Sequence, residues 1–408
     1  MKVRYQYRFY PTNQQQKALA QLFGCVRVVW NDALAFSKSS KYPGYNTLSK
    51  SLTLSKKTTE REWLNSVSSV PLQQSLKQLE VAYKNYFDSL KGKRKGKKVG
   101  QPRFKKKTNE QSATFTKAAF SIKKGVVFLA KIGNLKPIWS RELPSDPSSV
   151  TVIKDCANRY FLSFVVEIKP AQVDAKNRPQ LCCSEVASEQ AWGRIGVDLG
   201  LKTFAVMSDG SKAKSPSYKK LDRKVRSYQK KLARQQKGSN RRNKTRIQVA
   251  KHHNRIVAKR KDFLHKLSTR IVSENQTIVL EDLNVSGMVK NRKLARAISL
   301  QGWREFRNLC EAKSEKFGRE FHIINRWEPT SQICSDCGFK WGKIDLSHRS
   351  VLCINCGTEH DRDENAAKNI ESSRHRALGD FKRAQRQSKT TPVASVSEAL
   401  RITAPSGR

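Results

Sequence analysis

Acidic residues and long apolar segments are both scarce in this sequence of 408 residues. No apolar run approaches the roughly 20 residues that a membrane-spanning helix needs. The start, Met1–Tyr5, alternates polar with apolar residues instead of opening a signal-peptide core. The sequence therefore predicts a cytoplasmic protein with no membrane partner. In that compartment, the nine cysteines are expected to be thiols or metal ligands rather than a disulfide framework.

The shortage of acids leaves a very large positive charge. Asp and Glu number 34 against 81 Lys and Arg, which gives a formal net charge of +47. This excess of positive charge argues against an enzyme that acts on small molecules. It favours a polyanionic partner, of which nucleic acid is the commonest. The apolar fraction is 37%, but 7 Trp, 17 Phe and 10 Tyr are enough to build cores, so full disorder is excluded. Length alone predicts about two to four domains.

The first half of the chain reads as a strand, a helical segment and then short strands. Apolar and polar residues alternate over Lys2–Phe9, which predicts a half-buried strand. Thr12 and Gln15 have the spacing of a helix capping box, and apolar residues then recur at helical spacing to about residue 90. Short β-patterned runs follow from about residue 112. We expect a small antiparallel β-barrel over 1–11 and 108–170, with a helical bundle inserted over 12–107.

The second half of the chain begins after an aperiodic segment over 171–193, which we expect to be a linker. Two short strands follow from Arg194, and two long basic helices occupy about 216–275. A further strand ends near Leu283. The tail over 373–408 is polar and basic and shows no core-forming pattern, so we expect it to be disordered.

Four cysteines form the strongest local pattern in the chain. They make two Cys-x-x-Cys pairs, namely Cys334, Cys337, Cys353 and Cys356. Two such tight turns let four thiolates meet around one tetrahedral zinc ion. A redox dithiol or an iron–sulfur cluster would also use cysteines, but neither requires this symmetric spacing. A closed four-sulfur site leaves no open position for catalysis, so the sequence predicts a structural zinc ribbon over 330–358.

Three carboxylates lie where a two-metal nuclease site would need them. Asp198 and Glu281 each end a short apolar strand, and Asp363 is placed to open a helix. A carboxylate at the end of a buried strand is costly unless it is paired or coordinated. Taken singly, each acid is more often a turn or cap residue. Taken together, they match the way a ribonuclease H fold assembles a site for two divalent cations, and hard oxygen ligands suit Mg²⁺ or Mn²⁺.

The same segments carry a resemblance to a known family. Gly196–Gly200, the strand end Glu281–Leu283 and the cysteine ribbon that leads into Asp361–Ile370 together resemble the TnpB family. Members of that family are transposon-encoded, RNA-guided DNA endonucleases similar to the ancestors of type V CRISPR effectors. The resemblance spans about residues 1–372 and includes a basic motif over 100–107.

The resemblance implies a multidomain α+β architecture. By this resemblance, the predicted barrel corresponds to a wedge-type domain, and the helical bundle corresponds to a recognition domain. Residues 194–329 and 359–372 are expected to form a RuvC-like nuclease domain with a ribonuclease H fold (α/β). The basic helices and the zinc ribbon are expected to be insertions in this domain, and the ribbon is expected to contact the target nucleic acid. It implies a catalytic set that also holds two Mg²⁺ (or Mn²⁺) ions, namely Asp198, Glu281 and Asp363. Their neighbours Asp282 and Asp361 are expected to be bystanders.

The activity implied by the resemblance is two-metal-ion hydrolysis of double-stranded DNA. Pairing with a guide RNA derived from the transposon end would choose the target, next to a short adjacent motif. We expect a monomer on one RNA, associated with nucleoid DNA in a prokaryote.

Two basic regions are candidate nucleic-acid surfaces. Residues 91–107 hold ten Lys or Arg, and a solvated linker or a targeting run would also account for them. Residues 216–275 hold 20 Lys or Arg against three acids, which favours a cradle for RNA or an RNA–DNA duplex. Gln suits adenine edges and Lys suits guanine, so an early turn of the helix near residue 73 is a candidate reader of the adjacent motif. The candidate contact residues are Gln73, Gln74, Lys77, Arg103, Lys105, Arg241, Arg242 and Lys244.

Two other functions stay open at the level of sequence. A non-catalytic zinc-ribbon protein that binds RNA or DNA, or regulates transposition, would explain the charge and the cysteines but not the three carboxylates. The second open function is a transposase that joins DNA ends through a related acid triad. The ribbon before the third acid argues against it.

Overall fold

The computed structural model describes residues 2–39, 42–94, 96–168, 193–342, 344 and 349–373. The predicted linker, apart from residue 193, and the predicted tail, apart from residue 373, lie outside the described residues. The chain divides into two compact units, Met1–Pro170 with Ser217–Ala258 and Ala171–Pro216 with Lys259–Arg408. No helix in the described part of the chain is long and apolar enough to cross a membrane.

In the first unit, the described residues before residue 170 form three α-helices and eight strands. In chain order they are β1 (Lys2–Phe9), α1 (Asn13–Ser39), α2 (Tyr45–Ser55), α3 (Ser69–Leu90), β2 (Gln111–Thr116), β3 (Phe120–Lys123), β4 (Val126–Leu129), β5 (Gly133–Leu135), β6 (Pro137–Ile138), β7 (Ser149–Lys154) and β8 (Tyr160–Glu167).

Local sequence rules explain how α1 begins and what it packs against. The backbone N–H of Thr12 donates to Gln15 Oε1 at 3.0 Å, and the backbone N–H of Gln15 donates to Thr12 Oγ1 at 3.3 Å. This reciprocal pair is the predicted capping box. The apolar face of α1 is buried in one core with α3 and the strands, as Leu19, Leu34 and Phe164 show. The predicted strand and the predicted helical segment of this region are confirmed.

The predicted closed barrel is wrong for the described residues. The strands form a five-stranded antiparallel sheet in the order β2-β7-β8-β1-β6 and a separate three-stranded antiparallel sheet, β3-β4-β5. Strands β2 and β6 are the two edges and do not pair with each other. Strand β6 is two residues long and pairs only with Arg8 and Phe9 of β1, so it offers too few backbone groups to close a sheet. Alternation in the sequence predicts that strands exist but not which strands become edges.

The remaining elements lie between residues 194 and 373. They are β9 (Arg194–Asp198), β10 (Ala205–Met207), β11 (Lys212–Ala213), α4 (Lys219–Ala233), α5 (Asn240–Glu274), β12 (Thr277–Glu281), α6 (Val285–Met288), α7 (Ala295–Gln301), α8 (Trp303–Phe317), β13 (Glu320–Ile324), β14 (Ser350–Leu352), β15 (Glu359–Asp361) and a last helix, α9, over 362–373.

The second unit is built on a mixed five-stranded sheet in the order β11-β10-β9-β12-β13. Strands β9, β12 and β13 are parallel, while β10 runs antiparallel to β9. The central strands β9 and β12 are apolar because both of their faces are covered, as in other parallel sheets. The core includes Val197, Leu280 and Phe306.

Helix α9 approaches β9 so closely that one position must be glycine. A Cβ atom on Gly196 would lie 2.1 Å from the carbonyl oxygen of Ala367 and 2.6 Å from the backbone nitrogen of Glu371. Both atoms belong to the backbone of α9, so no side chain can move aside. Gly196 therefore sets the distance between the first strand of the sheet and the helix that carries Asp363.

We expect Gly196→Ala to destabilise the second unit by about 3 kcal/mol, because overpacking against backbone forces the helix off the sheet. Denaturant unfolding and protease cleavage within 362–373 would measure the effect. Gly24→Ala in α1 is the matched control. Its new Cβ would meet no atom within 4 Å, and an alanine in a helix interior gains about 0.5–1 kcal/mol. A wild-type unfolding midpoint for Gly196→Ala would contradict the close approach.

Candidate functional site

Two of the predicted carboxylates lie at one edge of the sheet in the second unit. Asp198 is the last residue of β9 and Glu281 is the last residue of β12. The two strands are parallel neighbours, and their register pairs Val197 with Leu280. Since the carboxyl ends of parallel neighbours meet at the same sheet edge, the next residue of each strand brings Asp198 beside Glu281.

The third carboxylate comes from the first turn of α9. The side chain of Asp361 accepts hydrogen bonds from the backbone N–H groups of Asp363 and Glu364 at 2.9 and 3.2 Å, so Asp361 is the N-cap of this helix. Lys212 pairs with Asp361 at 3.1 Å and with Glu364 at 2.8 Å. The expected bystander Asp361 thus has a structural role, which is to fix the start of the helix that presents Asp363.

Burial and the neighbouring acids together disfavour ionisation of Asp198. Burial raises the pKa of Asp198 to about 7, and the negative charges of Asp363 and Glu281 add to that rise. Burial also raises the pKa of Glu281, with a smaller contribution from Asp282. Buried like charges disfavour their own ionisation unless a cation joins them. Carboxylate oxygens are the ligands that hard divalent cations prefer, so the chemistry of this donor set fits such ions.

One arginine from the region of the cysteine ribbon reaches the cluster. The Arg349 guanidinium donates to both carboxylate oxygens of Asp363, at 3.0 and 2.8 Å. Both bonds come from one terminal nitrogen, Nη1, so Arg349 holds the Asp363 carboxylate through a single donor group. The sequence analysis did not identify Arg349, and no local motif distinguishes it from the other arginines of this basic chain.

Asp282, the other expected bystander, is a fully compensated carboxylate. The Arg307 guanidinium of α8 donates to it at 2.6 Å, and the Arg326 guanidinium donates to its second oxygen. Hydrogen bonding to Arg326 first, and then to Arg307, holds the pKa of Asp282 below its usual range. The Asp282 carboxylate is therefore stabilised in its charged form by two arginines. Its neighbour Glu281 is more buried, and its charged form is disfavoured by burial and by the charge of Asp282.

The four predicted cysteines come together in the second unit. One ligand atom from each of Cys334, Cys337, Cys353 and Cys356 lies within 4.8 Å of the others. Each pair forms a tight turn that ends in a glycine with positive φ, where Gly338 and Gly357 donate to the carbonyl oxygens of the first cysteine of their pair at 3.0 and 2.8 Å. This cluster can hold one tetrahedral zinc ion.

A buried histidine supports the cysteine cluster. His360 Nε2 lies 3.1 Å from Cys334 Sγ, and His360 is 5% exposed. Groups of this kind orient a metal ligand and tune its basicity. Sequence reasoning missed His360, although its position just after the last Cys-x-x-Cys pair was a usable signal.

The cysteine ribbon is tied to α9 by two buried asparagines. The Asn365 side chain donates to the carbonyl oxygen of Ile333 at 2.8 Å and accepts from the backbone N–H of Ser335 at 2.8 Å. The Asn369 side chain donates to the carbonyl oxygens of Thr330 and Ile333. The first cysteine turn and the helix that carries Asp363 are therefore one connected piece.

The candidate nucleic-acid contacts of the first unit fall into two groups. Gln73 and Lys77 are exposed on α3, and Lys77 lies 5.5 Å from the Tyr45 ring. Lys105 is instead half-buried, with its ammonium 4.0 Å from the Trp30 ring, and burial lowers its pKa to about 8. Its backbone is bound to Asn31 through hydrogen bonds of 2.8 and 3.2 Å, so the basic segment is held against α1.

Of the remaining candidates, Gln74 is on α3, Arg103 lies in the basic segment before β2, and the other three lie near the start of α5. Gln74 is partly exposed, and Arg103, Arg241 and Lys244 are exposed. The Arg242 guanidinium is already engaged, because it donates to the carbonyl oxygens at the C-terminal end of α4. Arg242 therefore closes α4 onto α5 and is a weaker nucleic-acid candidate than its neighbours.

We expect Asp198→Asn to raise the melting temperature in Mg²⁺-free buffer at pH 8 by at least about 2 °C. The folded pKa near 7 lies above the ordinary 3.8, so ionisation at pH 8 costs folding free energy that a neutral amide does not. The cost is full above about pH 7 and declines as the pH falls toward 4, so the gain should shrink at pH 5. Asp209→Asn, in the exposed turn between β10 and β11, is the control and should show no such pH dependence. A gain that is equal at both pH values would rule out the buried, repelled carboxylate.

We expect the purified chain to contain one zinc per molecule, and Cys337→Ser to lose it, since a structural site needs all four ligands. Elemental analysis would measure the metal content. Cys156→Ser is the control, because Cys156 is exposed and lies outside the cluster. His360→Ala should keep the four sulfurs but weaken zinc retention by roughly 10–100-fold in a chelator competition. Zinc content that is unchanged in Cys337→Ser would contradict the four-cysteine site.

Comparisons with known sequence families cover most of the chain. A helix-turn-helix domain matches residues 1–42, a probable transposase family matches residues 164–292, and a Cas12f1-like TNB domain matches residues 303–370. A cryo-EM structure of a Cas12f1–sgRNA–target DNA complex aligns over 91% of this chain and 98% of that one, with a TM-score of 0.51 and 13% identity. At that identity, the likeness concerns the fold alone.

Two curated relatives align over almost their full length. A Streptomyces pristinaespiralis protein named "Putative RNA-guided DNA endonuclease" is 41% identical over 97% of this chain and 95% of its own. InsQ of Escherichia coli K12, which carries the same description, is 29% identical over 96% of this chain and 98% of its own. TnpB-like proteins of Acanthamoeba polyphaga mimivirus match over 57% of this chain at 27% identity. The chain belongs to the TnpB family.

Proposed function

We propose that this protein is an RNA-guided DNA endonuclease of a transposable element. It cuts double-stranded DNA that is complementary to a guide RNA from the transposon end, next to a short adjacent motif. The observation that carries the proposal is the position of Asp198 and Glu281 at the carboxyl ends of neighbouring parallel strands, against which the helix that carries Asp363 packs. The descriptions of the two full-length relatives support the same activity.

The strand order of the second unit supports a ribonuclease H fold of the RuvC-like kind. Its sheet begins with an antiparallel meander, β9-β10-β11, and continues on the other side of β9 with the parallel strands β12 and β13. The first acid ends the first strand, the second ends the fourth, and the third opens the last described helix. We assign the first unit to a wedge-type and a recognition domain by analogy with the family.

We propose that the three carboxylates hold two Mg²⁺ or Mn²⁺ ions. Bound there, the ions would supply Lewis-acid activation of a water molecule and stabilisation of the leaving oxygen of a phosphodiester. The residues of the chain have their own tasks. Asp198 must lose its proton to act as a ligand, Asp361 fixes the helix end that presents Asp363, and Arg349 orients that carboxylate.

The charge distribution supports binding of RNA through its backbone. The helices α4 and α5 present Lys and Arg along most of their exposed length, and residues 216–275 carry a net charge of +17. A helix face so poor in acids gains little from paired side chains and is suited to a phosphate backbone. We assign the guide and the guide–target duplex to these helices and expect binding that weakens steeply with salt.

The first test is to purify the chain expressed with its native flanking DNA and to sequence the RNA that stays bound. One dominant RNA with a constant part and a variable 3′ end is expected. That complex should then cut a matching DNA, and Asp198→Ala should abolish cutting while the RNA stays bound. Asp209→Ala should cut normally, since it removes an exposed carboxylate outside the cluster.

Two outcomes would point to other functions. A heterogeneous RNA mixture and no metal-dependent cutting would favour a binding protein or a regulator of transposition. Joining of a labelled transposon end to target DNA, lost in Asp198→Ala, would favour a transposase.

A further inference from the structure

A cavity of about 290 Å³ opens beside the acidic cluster, within the second unit. Glu281 and Asp282 line it at the end of β12, and Trp303, Arg304 and Arg307 line it from α8. The cavity is therefore continuous with the candidate active site, but most of its wall is not acidic.

The charge of this wall is matched to an anion. Three guanidinium groups face two carboxylates, and the third arginine is Arg326. Asp282 already binds Arg307 and Arg326, so the carboxylate holds these two cations in place and leaves their remaining N–H groups available. Arg304 is exposed, and no hydrogen bond or ion pair joins its side chain to another residue in the described part of the chain.

We propose that this cavity binds a phosphate group of the DNA strand being cut, next to the phosphate that is hydrolysed. Arg304 contacts the phosphate oxygens, and Asp282 is a positioning residue that orients Arg307 and Arg326. The inference rests on the proposed nuclease function. Glu281 lines the same cavity, so the bound phosphate lies within one or two linkages of the cut. Arginine suits this role because its planar fork matches phosphate geometry.

The experiment scans neutral methylphosphonate linkages along the target strand under single-turnover conditions. One linkage at a fixed offset from the cut should slow wild-type cleavage about tenfold or more, because a charged hydrogen bond is lost. Arg304→Ala should slow cleavage of ordinary DNA by a similar factor, and the neutral linkage should then slow it no further. Such coupling identifies the phosphate that Arg304 contacts.

Arg292→Ala is the matched control, because Arg292 is exposed in the loop before α7 and does not line the cavity. It should retain both the wild-type rate and the full methylphosphonate penalty. Asp282→Asn should lower the rate and the methylphosphonate penalty together, and Asp282→Glu should restore both. A structural defect alone would not erase the penalty at one linkage.

Three results would overturn the inference. The first is that the rate penalties of Arg304→Ala and of the neutral linkage multiply, which means that the two act independently. The second is that no neutral linkage near the cut slows cleavage. The third is that Arg304 is coupled to a linkage of the guide RNA instead of the DNA. The nuclease function can fail separately. If the wild type cuts nothing, the same series is measured as DNA affinity. If Arg304→Ala and the neutral linkage then weaken DNA binding independently, the phosphate site is rejected. If their effects on DNA affinity are still coupled, only the nuclease function is rejected.

Discussion

The contact between the backbone of α9 and strand β9 at Gly196 is the constraint on which the acidic cluster depends. The carbonyl oxygen of Ala367 occupies the space that any side chain at Gly196 would need. Because the helix lies so close, its first turn reaches the edge where Asp198 and Glu281 end their strands. A larger separation would leave Asp363 too far away to raise the pKa of Asp198.

Compensation of charge separates the acids of this region into two kinds. Asp282 and Asp361 are paired with cations and have lowered pKa values, whereas Asp198 and Glu281 are buried and have raised ones. Glu281 and Asp282, which are adjacent in the chain, therefore have opposite pKa shifts. Asp363 belongs to neither group, because it is a proposed metal ligand that Arg349 also binds.

Much of this could be predicted from the sequence, because it depends on local patterns. The capping box of α1, the strand β1, the short strands after residue 112 and the convergence of the cysteines follow from periodicity and spacing, and the structure confirms them. The order of strands does not follow, since the alternation in β2 and β6 does not reveal that they are edges. Arg349 and the arginines at Asp282 were missed for another reason. In a chain with 81 Lys and Arg, no single arginine stands out until its partner is known.

The asparagines on α9 have a consequence for how this protein could be rebuilt. Asn365 and Asn369 bind the backbone that leads into the first cysteine turn, while the same helix begins with Asp363. The ribbon is therefore no detachable module, although its sequence boundaries suggest one. A graft that exchanges it for the ribbon of a relative would have to carry the helix as well, and with the helix a third of the acidic cluster.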